Sequence, residues 1–176
     1  MEFYKMKKTI LPFFILVMCL GTTSSWAQNP ASPADQKATF VKGTRLLEQD
    51  PFAKDAKRIR SALLMWLIEA PDVSVTLCSE FLEPVGKKFK YAPELTGQFT
   101  YGMGAFIIEN PSKAGDQTAV YAGGLESASR MYEAMLKAKP EAKDAFLDSL
   151  VETRTKGETA AYVESVLKKG GCKRKN

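Results

Sequence analysis

From about residue 35 onward, apolar residues recur three and four positions apart, and the breaks between these runs fall at proline or glycine. Such spacing lays one apolar stripe along a helix. The first helix spans residues 35–49, with Phe40, Val41, Thr44 and Leu47 on one face. It stops at Asp50-Pro51, because the residue before a proline is pushed out of helical angles. The second, 55–70, is the most apolar: Ile59, Leu63, Trp66, Leu67 and Ala70 form its stripe. Leu64, Met65 and Ile68 widen that stripe, which predicts a central helix ended at Ala70-Pro71. Asp72 then suits the N-cap of a third helix, 72–82, burying Val75, Cys78, Phe81 and Leu82. The stretch "DVSVTL" also alternates with period two, so a short strand competes there.

After the basic loop "PVGKKFKY", Pro93 opens a fourth helix whose stripe is Leu95, Phe99, Met103 and Phe106. Gly97, Gly102 and Gly104 each weaken it by about 1 kcal/mol relative to alanine, a cost that suits close helix packing. "ENPSKAGD" breaks the chain, and a fifth helix over 117–138 buries Tyr121, Leu125, Ala128, Tyr132, Met135 and Leu136. A sixth, after Pro140, presents Phe146, Leu147, Leu150 and Val151. Gly157 separates it from a seventh with Tyr162, Val163, Val166 and Leu167, which Gly170-Gly171 terminates. The expected fold is all-α, with about six to seven helices stacked as antiparallel hairpins or an irregular bundle.

The amino terminus has a different grammar. Lys5, Lys7 and Lys8 precede an apolar run over 9–20, and Ser25-Trp26-Ala27 offers small residues at a cleavage site. This predicts a signal peptide over 1–27 that is cleaved on export, with Met6 as a tidier start. The run is too short to span a bilayer, which takes roughly 20 apolar residues. Met18 before Cys19 does not fit a lipoprotein cleavage site. Residues 28–34 read as a flexible lead-in, 35–169 as a single helical domain, and 170–176 as a flexible basic tail. The exported domain is expected to be soluble, periplasmic or secreted, and not transmembrane after cleavage.

Charge narrows the partners. The sequence pI is about 9.0, but five basic residues (Lys168, Lys169, Lys173, Arg174 and Lys175) crowd the last nine positions. Without them and without residues 1–27, 17 basic and 19 acidic side chains remain. The basicity therefore belongs to the ends, and no nucleic-acid-binding face is implied. The tail is a candidate contact for an anionic membrane surface, where each Lys or Arg adds roughly 1 kcal/mol.

Candidate chemistry is sparse. The chain has no histidine, which removes Ser-His-Asp and Cys-His catalysis and the commonest general base. No P-loop, GxGxxG or GxSxG stretch is present. No cofactor and no metal site are expected, although Glu80 and Glu83, three apart on a helix, would share a face able to meet a hard cation. Glu109, beside the apolar "AFII", and Glu80 are the candidate general acids for a small cell-wall hydrolase. Tyr91 and Tyr101 are candidate groove residues, Tyr101 because it falls off the Leu95–Phe99–Met103 stripe. After signal cleavage two cysteines remain, Cys78 and Cys172, in a compartment where disulfides form. The glycines before Cys172 free the tail to reach back, so a Cys78–Cys172 bond is expected.

Two stretches echo one another: "LLMWLIEAPD" and "YEAMLKAKPE" each end an apolar helix at a proline followed by an acid. Ala128, Tyr132, Met135 and Pro140 also match the spacing of the second half of a tetratricopeptide motif, so this part of one repeat resembles tetratricopeptide-type helical hairpins. The whole chain resembles small exported all-helical bacterial proteins of unassigned function. These readings lead to a non-enzymatic binding or structural module of the bacterial cell envelope, with an unknown protein or peptide partner. The rivals are the glutamate-dependent hydrolase and a peripheral binder of anionic lipid.

Overall fold

The first helix of the computed structural model, which describes residues 32–85, 89–170 and Cys172, is α1 (Pro33–Gln49). Ser32 caps it: its hydroxyl accepts from the Asp35 amide at 3.2 Å while the Asp35 carboxylate accepts from the Ser32 amide at 3.3 Å. This reciprocal cap satisfies two amides that a helix start otherwise leaves open. It draws residues 32–34, expected as lead-in, into the folded domain. Five helices follow: α2 (Ala56–Glu69), α3 (Ala92–Glu109), α4 (Gln117–Ala138), α5 (Ala145–Thr155) and α6 (Thr159–Lys168). Single 3₁₀ turns sit at Ser79–Phe81, Pro111–Lys113 and Pro140–Ala142. No strand occurs among the described residues, so the all-α expectation holds with six helices.

The core is organised around α3 and α4. A Cβ on Gly102 would overlap the Ser127 side chain, and one on Gly124 would come within 2.7 Å of the Phe99 carbonyl oxygen. Two backbones can approach this closely only where the Cβ is missing. The helix-weakening glycines of α3 are thus the condition for its tight crossing with α4. Around that crossing Phe99, Met103, Leu125, Ala128, Met131 and Tyr132 are almost wholly excluded from water.

α2 is not central, contrary to what its wide apolar stripe predicts. Only Ala56, Leu63 and Leu67 are buried, while Leu64, Met65 and Ile68 are 46%, 54% and 69% exposed. The reason is tertiary: α2 packs on the outer side of α1 and α3, so only one narrow face meets them. There the Phe40 ring lies 4.6 Å from that of Trp66, centroid to centroid, and the Trp66 indole donates to Gln36 at 3.3 Å.

The expected third helix does not form. Residues 73–78 are neither helix nor strand, and helical geometry occurs only in the short turn Ser79–Phe81. Val73, Val75 and Thr76 are β-branched and stiff in a helix. Val73 and Cys78 are both buried although five residues apart, a spacing that one helical face does not provide. Cys78 has extended backbone (φ −134°, ψ 106°). Asp72, expected as an N-cap, forms an ion pair with Lys37 instead. The proline-punctuated echo is therefore not a structural repeat. The stretch after Pro71 is irregular, whereas Pro140 leads through one turn to α5, which Asp144 caps through the Phe146 and Leu147 amides.

Candidate functional site

Segment 73–78 carries the most unusual surface of the domain. Its anchors are Val73 and Cys78, both buried, and Cys78 is disulfide-bonded to Cys172 with Cα atoms 5.2 Å apart. The two cysteines expected to pair are thus at disulfide distance. Leu77 points outward, 62% exposed. It borders two hollows. One, of about 450 Å³, is walled by Leu64, Ile68, Val75 and Leu77; the other, of about 530 Å³, by Leu77, Leu82, Phe99, Glu80 and Glu83. No backbone amide or carbonyl of residues 73–78 is paired with the backbone of another described segment. Four acidic residues lie within 69–83 (Glu69, Asp72, Glu80 and Glu83) and no Lys or Arg.

Glu80 stands next to the disulfide, one carboxylate oxygen 3.2 Å from Cys78 Sγ. The two sulfurs and a Glu80 oxygen lie within 4.8 Å of one another. Metal binding needs thiolates, and sulfurs joined to each other have none to offer, so the trio is no ligand set while the bond stands. Because 72–82 is not helical, Glu80 and Glu83 do not share a helix face; both border the same hollow.

A second polar feature lies outside the sequence expectations. Glu48, near the end of α1 and 7% exposed, accepts from Ser127 Oγ at 2.6 Å and from Arg130 Nε at 2.9 Å, and is ion-paired with Arg45. Gln98 extends the network, donating to Ser127 Oγ at 2.8 Å and to the Thr44 carbonyl at 3.1 Å. Arg45 also donates to Glu109 at 2.6 Å. Burial by itself would lower the Arg45 pKa, but Glu48 and Glu109 outweigh it and the guanidinium is held more firmly protonated than usual. Glu48 falls eight residues after Phe40 and four after Thr44, on the buried stripe of α1, and that register is the one sequence signal for its burial. Ser127 and Arg130 both stand on α4, which makes Glu48 a tie between α1 and α4.

The other candidates separate. Glu109 ends α3 as a rim residue, its side chain 38% exposed in the pair with Arg45. Tyr101 is a core side chain, 4% exposed, whose hydroxyl donates to the Arg60 carbonyl at 3.0 Å and whose pKa burial raises. It is not a groove wall. Tyr91 packs its ring against Phe52 and Phe89, with centroids 5.1 and 5.9 Å away, and borders a separate hollow of about 340 Å³ beside Lys90 and Lys143. Lys168 closes α6 and pairs with Glu164 at 3.3 Å, and Lys169 is the C-cap. Lys173, Arg174 and Lys175 lie outside the described residues, as does the whole 1–27 stretch read as a signal peptide. Among the described residues no helix is long and apolar enough to cross a membrane. No protein-family model matches the chain, and no curated protein or solved structure matches it either.

Proposed function

We propose that the chain is an exported, non-enzymatic binding module of the cell envelope that holds a partner protein at the apolar strip of Leu64, Met65, Ile68 and Leu77. The observation that carries this reading is the exposure of these four side chains, 46%, 54%, 69% and 62%, on one side of a domain whose core is otherwise well filled. Leu64, Ile68 and Leu77 share one hollow, and Met65 is one helical turn from Ile68. Contiguous apolar surface of this kind marks interaction sites. Covering each half-exposed side chain would contribute on the order of 1 kcal/mol.

Catalysis has less support. Glu48 and Glu109 are engaged with arginines, and Glu80 is exposed on the surface beside a disulfide. The Cys78–Cys172 bond fits an oxidising compartment, in keeping with export.

The test is quantitative affinity capture from an envelope fraction with the wild-type chain and with a Leu64→Asp/Ile68→Asp variant whose fold is checked by circular dichroism. The reading requires a partner that the wild type retains and the variant loses. Equal retention by both would overturn it.

A further inference from the structure

We infer that residues 73–77 are a docking edge for an extended, cationic and apolar segment of the partner, which pairs its backbone with this stretch and lays alternate side chains into the hollows beside Leu77. The inference rests on the binding-module reading and names its ligand chemistry.

Three independent features of the stretch converge on that occupant. First, its backbone is not paired with the rest of the described chain: among the described residues no amide or carbonyl of 73–78 has a backbone partner, whereas the helices on either side satisfy theirs internally. Unpaired backbone of this kind is a template for strand addition. Second, burial alternates from Val73 through Thr76, with Val73 and Val75 inward and Ser74 and Thr76 outward. This is the period of extended chain, so an added strand finds a matching register. Anchors at both ends, Val73 in the core and Cys78 in its disulfide, hold the edge in place before any ligand arrives. A preorganised edge loses little entropy on binding.

Third, the charge carried by residues 69–83 is one-sided. Glu69, Asp72, Glu80 and Glu83 flank the stretch, and among the described ion pairs Asp72 is the one of these four engaged, to Lys37. Glu80 and Glu83 border the hollow on the far side of Leu77 from α2. A segment carrying Lys or Arg between apolar residues complements this surface, and an anionic one is repelled. A helical ligand would cover the apolar strip and leave the unpaired backbone and the carboxylates unanswered, so the extended form is favoured.

The experiment uses the exported chain with its disulfide intact and a fluorescent peptide of about eight residues alternating valine and lysine, long enough to span 73–78 at roughly 3.3 Å per residue. Anisotropy measures binding. Two further peptides carry N-methyl groups, one on the valine amides and the other on the lysine amides, each blocking one edge of the added strand. Loss of two hydrogen bonds predicts about tenfold weaker binding for one of them and no change for the other. Replacing lysine by glutamate in the peptide should abolish binding, and Leu77→Lys in the protein, at an exposed position that folding tolerates, removes the apolar wall and adds a like charge, so it should weaken binding. If both methylated peptides bind like the parent, the edge is not paired, and strand docking falls while the apolar-strip reading stands on its own capture test. If the glutamate peptide binds equally, or the parent does not bind at all, the proposal falls. If the parent binds only after deletion of residues 173–176, the basic tail is the resident occupant and the partner proposal falls as well.

Discussion

Cys78 and Cys172 lie 94 residues apart in sequence and 5.2 Å apart between Cα atoms, so the last described residue is fastened to the irregular stretch that replaces a helix. Closing a loop of that length removes about 4.7 kcal/mol of unfolded-state entropy in the chain-entropy model. We predict that Cys172→Ser lowers the urea midpoint by an amount equivalent to about 2–4 kcal/mol, and that thiol counting on the unreduced, denatured protein finds neither Cys78 nor Cys172 free. Two free thiols would refute the bond.

Glu48 ties α1 to α4 through Ser127 and Arg130. Its removal would leave the Ser127 hydroxyl, which still accepts from Gln98, without an acceptor for its own proton, and would separate two arginines from their anion. Glu48→Ala is expected to cost about 2–3 kcal/mol, less than the roughly 3–5 kcal/mol of a fully buried pair, because Arg45 and Arg130 keep roughly a third of their exposure. Glu109→Ala, which removes an anion at the rim, should cost less than about 1 kcal/mol. Denaturant unfolding of the two variants side by side checks the ranking, and equal losses would contradict the tie.

Gly102 meets Ser127 and the Gly124 backbone at the α3–α4 crossing, whereas a Cβ on Gly115 would meet nothing within 4 Å. Gly102→Ala should therefore destabilise by about 1–3 kcal/mol through overpacking. Gly115→Ala should be neutral or slightly stabilising, since it restricts the unfolded chain. Thermal melts of both distinguish the crossing from a generic glycine effect.

The Tyr132 phenol is pushed up to about 12, first by burial and then by Asp148, whose carboxylate accepts its proton at 2.8 Å, while the Asp144 amide works in the opposite direction. A raised folded-state value means that the neutral phenol favours folding. Its contribution is whole below pH 10, the ordinary tyrosine value, and is lost as pH climbs from 10 through about 12. Stability measured against pH should fall in that window, and Tyr132→Phe should flatten part of the fall while lowering stability at neutral pH. An unchanged alkaline slope in the variant would assign the loss to Tyr101, Tyr121 or Tyr162, which burial also raises.

Much of this protein is legible locally. The α4 boundaries, 117–138, coincide with those read from spacing, because Asp116 caps the start and the periodicity runs unbroken. The cysteine pair follows from counting, and the lack of histidine by itself closes the commonest catalytic routes. Partners distant in sequence decided the rest. Leu63 and Leu64 are equally apolar neighbours, yet one is buried and the other 46% exposed, because α1 and α3 cover only one side of α2. Glu48 lies in register with the buried stripe of α1, but its partners are set by packing alone, since α4 brings Ser127 and Arg130 to it from 79 and 82 residues away. Residues 73–78 carry both a helical and a period-two pattern, and the tie of Cys78 to Cys172 together with the burial of Val73 favours extended chain. Spacing along a chain reports which residues can share a face; only packing determines which face is covered, and that depends on contacts no local pattern contains.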